Sequence, residues 1–376
     1  MPIDIFDIQA CASDGGRTVS RYSQIWRSDM EEKLKVLVVD DASFMIKAVS
    51  EFLESDPGIE VVGSAKNGLE GIEKIKELQP DVITLDIDMP VMDGISAMRH
   101  IMIESPVPVV VLSSLSSDGS ITFEALRLGV VDFVPKPSGA ISADINGSKQ
   151  QIIDRLKIAR SVNLENIRRV KLSNWDVKER LAERYGYQPL DFLLALGTTL
   201  GGPNTIIRLL ANLSPNLPAA AVVAQEISPK ILSAFVKKFD EFVPWKVEAA
   251  VDNVVLEQGT CYVSSLENSI TVQANPNGEP CLKVGNGDAR PLDQLFSSAA
   301  EIFRQNTVGV LLTGIGDDGA DGFTRIREKS GVTIAQHNNS CVYPNLIQNA
   351  IERRTVDIVV DENKLCEQIE AIMMRP

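Results

Sequence analysis

From Lys35 onward, short apolar runs alternate with stretches of helical period, and this alternation restricts the fold more than any other feature of the chain. "KVLVV", "IEVVGSA", "DVITL", "VPVVVL" and "VDFV" read as strands. Between them "SFMIKAVSEFLES", "GLEGIEKIKEL", "ISAMRHIMI" and "ITFEALRLG" read as amphipathic helices. In the first helix the spacing sets Met45, Val49, Phe52 and Leu53 on one face. Strands that are apolar on both faces, each followed by a helix, predict a parallel sheet covered on both sides. Sheets of this kind form their sites at the carboxyl ends of the strands.

A second α/β region starts at Leu190. It opens with "LALGTTLGGPN", an apolar strand running into a glycine-rich loop with proline at the start of a helix. "AAAVVAQ", a β-rich interruption around residues 246–284, and further strand–helix units through "TVGVLLTG", "VTIAQ" and "VDIVV" complete it. Residues 138–188 differ: the helix-like "SKQQIIDRLKIARSVNLENIRRV" runs into a polar stretch, which reads as a linker containing a helix. At the other end, residues 1–29 lack periodicity and the apolar core of a signal peptide, and Met30 abuts the first strand. The whole stretch 1–33 reads as a poorly ordered extension, with a short docking helix as the alternative.

Charge narrows the function. With 51 acidic against 37 basic side chains the net charge is −14, which opposes binding to phosphate backbones and anionic lipid, so no nucleic-acid partner is expected. No apolar run approaches the roughly 20 residues of a membrane span, so no membrane insertion is expected. Five scattered cysteines without a CxxC pair argue against a zinc or disulfide framework and suit a reducing cytoplasm. There are only two histidines, His100 and His337.

Acidic residues recur where the first strands end. Asp40 and Asp41 follow "VLVV", Asp86 follows "DVITL", and Lys136 follows "VDFVP". Any one of these acids alone reads as a helix cap or a solvated loop residue. As a set they would repel one another unless a cation sat among them, and hard oxygen donors suit Mg²⁺. Lys136, and the Ser113 hydroxyl at the end of "VVVLS", are placed to contact a phosphoryl group. The predicted chemistry is phosphoryl transfer to an aspartate.

The arrangement "VVDD … LDIDMPVMDG … SS … KP" resembles the receiver domain of two-component response regulators over residues 34–137. The resemblance implies Asp86 as phosphoacceptor and Mg²⁺ held by Asp40, Asp41, Asp86 and the backbone carbonyl of Asp88. It further implies that Ser113 and Lys136 sense the phosphoryl group, with Phe133 at the position of a switching aromatic; plain core packing is the other reading of Phe133. Residues 189–376 resemble the catalytic domain of the chemotaxis protein-glutamate methylesterase family, CheB, through "GTTLGGP", "QEISP", "RPLDQLF" and "GIGDDGA". Together these imply an α/β fold: a flavodoxin-like receiver with a parallel five-stranded sheet, then a doubly wound α/β methylesterase-like domain with a β-rich insertion.

Carried over residue by residue, the family's nucleophilic serine falls on Thr199, its general-base histidine on Glu226, and its orienting aspartate on Asp318. Glutamate, with an ordinary pKa of about 4.3, is a poor base at neutral pH. Threonine crowds the attack path with a methyl group. If Glu226 and Asp318 occupied the old histidine and aspartate places, two carboxylates would face each other, and one would hold a proton or be neutralised by a cation. The expectation is a response regulator phosphorylated by the histidine kinase of a chemotaxis-type system. Its output domain is expected to be catalytically degenerate and to act by binding, with chemoreceptor cytoplasmic domains as candidate partners. An active methylesterase using Thr199 is the rival.

Overall fold

The computed structural model describes residues 33–113, 119–136, 144–167, 189–287 and 290–374; the expected N-terminal extension through residue 32 lies outside them. Strands β1 (Leu34–Val39), β2 (Ile59–Ala65), β3 (Val82–Leu85), β4 (Val109–Ser113) and β5 (Asp132–Pro135) form a parallel sheet in the order β2-β1-β3-β4-β5. The interleaved helices are α1 (Ser43–Glu54), α2 (Gly68–Leu78), α3 (Gly94–Glu104) and α4 (Gly119–Leu128). Alternation along β1 shows why both sheet faces had to be apolar. Val36 and Val38 join Val49, Phe52 and Leu53 of α1 in one cluster. Leu37 and Val39 join Ile72 and Ile75 of α2 in another. Met45 is only partly buried against the first of these.

The helix expected inside a linker has a different place. Helix α5 (Asp144–Arg160) buries Ile152, Ile153, Leu156 and Ala159 in the same cluster as Val110, Leu112 and Phe52. It shares with α1 the face of the first sheet opposite α2. Its apolar side chains recur at i, i+4 and i+7, the stripe of a packed helix. The remainder of that stretch, residues 168–188, lies outside the described residues.

The second unit is a seven-stranded parallel sheet. Its strands are β6 (Phe192–Thr198), β7 (Ala219–Gln225), β8 (Lys246–Ala249), β9 (Thr260–Ser265), β12 (Thr307–Leu311), β13 (Val332–Gln336) and β14 (Ile358–Val360), ordered β14-β13-β12-β6-β7-β9-β8. The β-rich stretch is therefore only in part an insertion: β8 and β9 extend the main sheet. The antiparallel hairpin of β10 (Asn268–Ala274) and β11 (Pro280–Asn286) lies apart. Helices α6 (Gly202–Asn212), α7 (Pro229–Asp240), α8 (Pro291–Phe303), α9 (Ala320–Glu328), α10 (Asn345–Glu352) and α11 (Leu365–Met373) complete the unit.

The two units pack against each other. Phe123 of α4 is fully buried among Phe235 and Phe239 of α7 and the following Phe242, with ring centroids 5.6, 6.0 and 5.3 Å away. Asn204 of α6 donates its side-chain N–H to the carbonyl of Leu126 at 2.7 Å. Asn166 reaches the carbonyls of Asn339 and Cys341 at 2.8 and 2.7 Å. Beside these contacts lies a cleft of about 990 Å³ with walls from both units. No helix among the described residues is long and apolar enough to cross a membrane.

Candidate functional site

The ends of β1, β3 and β5 bring three sequence-predicted groups together. Lys136 Nζ lies 2.8 Å from a carboxylate oxygen of Asp40 and 2.7 Å from one of Asp86. The second oxygen of Asp40 accepts the amide of Ala42 at 2.9 Å, and that of Asp86 accepts the amide of Ile87 at 2.8 Å. Asp40 and Asp86 are buried, whereas Asp41 and Asp88 are exposed. Asp40, Asp41 and Asp86 each offer an oxygen within 4.8 Å of the others. Three carboxylates balanced by one ammonium leave a surplus of negative charge on hard oxygen atoms, which fits Mg²⁺.

Burial raises the pKa of Asp86 above the ordinary carboxylate value; Lys136 opposes that shift and Asp40 adds to it. Burial works against the charge of Lys136, but its contacts with Asp40 and Asp86 outweigh this and raise its pKa. The backbone here is held closely. A β-carbon on Gly94, the first residue of α3, would stand 2.1 Å from the carbonyl oxygen of Asp86, so only glycine lets that helix start beneath the acid. Ser113 ends β4 in register with Pro135, while its side chain lies outside the described residues. Phe133 is partly buried against the core and also lines the inter-unit cleft.

The second site is organised differently. After β6, Thr198 turns inward and donates its hydroxyl to the carbonyl of Thr313 at 2.6 Å. Thr199 faces the cleft, but its hydroxyl is occupied on both sides: it donates to the carbonyl of Ile315 at 3.0 Å and accepts the amide of the same residue at 2.5 Å. A β-carbon on Gly314 would lie 2.3 Å from that hydroxyl oxygen, so the facing loop closes tightly over Thr199.

Glu226 and Asp318 do not form the carboxylate pair that the triad carry-over suggested. Glu226, just after β7, is held by the Arg155 guanidinium, with one contact at 3.3 Å and a second, closer one to the other carboxylate oxygen. Arg155 belongs to α5 of the first unit and also lies 3.2 Å from Asp132 at the start of β5. Burial, with the nearby charge of Glu226, pushes Asp132 up to about 7 against the pull of Arg155. A cation therefore does neutralise Glu226, and it comes from the other unit.

Asp318 serves the start of α8. Its two oxygens accept the amides of Leu292 and Asp293 at 2.7 and 3.0 Å. Those amides have no partner within their own helix, so the carboxylate caps it. Burial, with the neighbouring Asp293, pushes Asp318 up to about 6 against these two amides.

Neither histidine lines the cleft. His100 lies on α3, 2.9 Å from Glu104. His337 is partly buried, accepts the amide of Asn339, and lies 3.6 Å from Asp361. Ser264 and Ser265 are buried at the end of β9, where Ser265 donates to the carbonyl of Ile227 at 2.5 Å.

Comparison with known proteins agrees with this architecture. Residues 36–143 match the response regulator receiver domain, and residues 194–369 match the CheB methylesterase domain. A protein-glutamate methylesterase/protein-glutamine glutaminase of Caldanaerobacter subterraneus subsp. tengcongensis is 34% identical over 355 residues, covering 90% of this chain and 96% of that protein. This chain belongs to the CheB family. A protein of the same name from Pyrococcus horikoshii is 34% identical over 350 residues, covering 90% of this chain and 94% of its own. Among solved structures, the Thermotoga maritima CheB methylesterase catalytic domain is 27% identical and covers 47% of this chain and 96% of its own, with a TM-score of 0.45. This CheB chain thus joins a receiver to a methylesterase-fold domain, and its inter-unit cleft opens onto Thr199 and Glu226.

Proposed function

We propose that this CheB-family chain is a cytoplasmic response regulator phosphorylated on Asp86, with an output domain that acts by binding and not by hydrolysis. The observation that carries the second half is the fate of the three triad positions: Thr199 is tied to Ile315, Glu226 to Arg155, and Asp318 to the start of α8. A hydroxyl nucleophile needs an adjacent group that takes its proton near neutral pH. The hydrogen bonds of Thr199 lead to backbone groups, which cannot serve as that base.

In the receiver, an oxygen of Asp86 attacks the phosphorus of a donor, an acyl phosphate bond forms, and the bond to the donor breaks. Asp40, Asp41, Asp86 and the backbone carbonyl of Asp88 would hold Mg²⁺, which when bound neutralises charge developing on the phosphoryl oxygens. Lys136 pairs with the phosphoryl group, Ser113 hydrogen-bonds it, and Phe133 responds from the cleft wall. The donor is the histidine kinase of a chemotaxis-type system, and the output domain binds chemoreceptor cytoplasmic domains.

The names of the relatives favour a second reading, in which Thr199 hydrolyses receptor glutamate methyl esters once the receiver is phosphorylated. Methanol release from methylated receptor, with and without acetyl phosphate and Mg²⁺, separates the two. No release under either condition supports binding alone. Release by wild type that disappears in Thr199→Ala would establish the enzyme.

A further inference from the structure

Arg155 touches acids from two units, and the two contacts are not equivalent. Its contact with Asp132 lies wholly within the receiver unit, at 3.2 Å. Its contact with Glu226 crosses the cleft and uses both carboxylate oxygens. Within the receiver unit Arg155 therefore already has an acid partner in Asp132. Glu226 is a second acid at a cation already balanced, and it gains that cation only while the units are docked. If the units part, Arg155 keeps Asp132 and Glu226 returns to water, so no charge is left stranded in a dry site. That asymmetry makes the contact a releasable one.

Position adds to this. Asp132 opens β5, Phe133 follows it on the cleft wall, and Lys136, one residue beyond the strand, holds Asp86. The cross-unit ion pair and the phosphoryl-accepting acid thus sit at opposite ends of one four-residue strand. Burial is the main cause of the raised pKa of Asp132, and the charge of Glu226 adds to it.

We propose that Glu226 is a receiver-docking residue: by gripping Arg155 it holds the cleft over the Thr199 loop closed. The side chain at the family's histidine position has thereby exchanged proton transfer for adhesion between domains. This rests on the reading of the output domain as non-hydrolytic, and the test separates the two.

Hydrogen exchange on the full-length chain is the measurement, read on peptides covering β5 and the Thr199 loop. Glu226→Gln keeps the shape, removes the charge, and leaves the Arg155–Asp132 pair intact. It should speed exchange in both peptides by about fivefold, the upper end of the scale for a part-exposed ion pair. Exchange in α9, which lies outside the cleft lining, should stay at the wild-type rate and so reports on folding. Glu226→Lys, at a half-exposed site that accommodates a long side chain, should open the cleft at least as far. Wild-type protein treated with acetyl phosphate and Mg²⁺ should move in the same direction.

Cleft exchange within twofold of wild type in either variant would overturn the proposal. Methanol release measured on the same samples keeps the readings apart. Hydrolysis by wild type defeats the binding-only reading, while accelerated exchange in Glu226→Gln still upholds the docking role.

Discussion

Two strand-end sites in this chain began from comparable raw material and have been resolved in opposite ways. In the receiver, Asp40, Asp86 and Lys136 converge, and each group's charge is answered by another group of the same cluster. In the output unit the three triad positions each look elsewhere: to a loop carbonyl and amide, to a guanidinium of the neighbouring unit, and to a helix start. A reactive site requires its groups to spend their hydrogen bonds on one another and on substrate. The second site spends them on holding the protein together, the arrangement on which the proposed binding role rests.

The sharpest way to break this comparison is at Asp86. Asp86→Asn should abolish phosphoryl uptake from acetyl phosphate and Mg²⁺, read as loss of the single adduct by intact mass. Labelling equal to wild type would mean that the first site is no more reactive than the second. The next largest effect is expected from rebuilding the output site. Thr199→Ser and Glu226→His should each leave methyl-ester hydrolysis near background, while the double variant should exceed either by about tenfold or more, because groups that act as one unit are strongly non-additive. Equal rates in all three would show that Asp318 no longer supports a base.

Asp318 supplies a smaller effect. Asp318→Ala removes a cap from two amides and should cost about 1–2 kcal/mol, measurable as a lower urea midpoint. Its pH dependence is also fixed in sign. With a folded pKa of about 6 against an ordinary 3.8, the native state binds the proton more tightly than the unfolded chain. Its contribution therefore makes stability fall as pH rises from about 4 to 6 and level off above. Asp318→Asn should lack that component, and an identical pH profile would refute the assignment. The smallest effect is expected from deleting residues 1–29, which the sequence pattern sets before the first strand: a chain beginning at Met30 should melt within about 4 °C of the full chain by calorimetry.

Much of this was legible in the sequence for a physical reason. Strand-end acids are placed by backbone period alone, so Asp40, Asp86 and Lys136 could be paired without coordinates. The residue types at Thr199 and Glu226 could be read directly as well, and their equivalence to triad positions is what the family resemblance implies. The partner of Glu226 was not legible. Arg155 is 71 positions away in sequence, on a helix whose many charges made its surroundings read as linker. The stripe of Ile152, Leu156 and Ala159 was the available signal, and it says only that α5 packs, not across which cleft its arginine reaches.

The aromatic contact between α4 and α7 has a consequence for synthesis. Phe123 is complete in the nascent chain more than 100 residues before Phe235, Phe239 and Phe242 are made. At roughly 5–20 residues per second, the receiver waits on the ribosome for about 5–20 s with that ring lacking its partners. During this interval the newly folded receiver presents an apolar face that the finished protein conceals, and a second nascent receiver on the same message offers the same face to it. The order of translation thus makes this interface the place where chain-to-chain mispairing would begin.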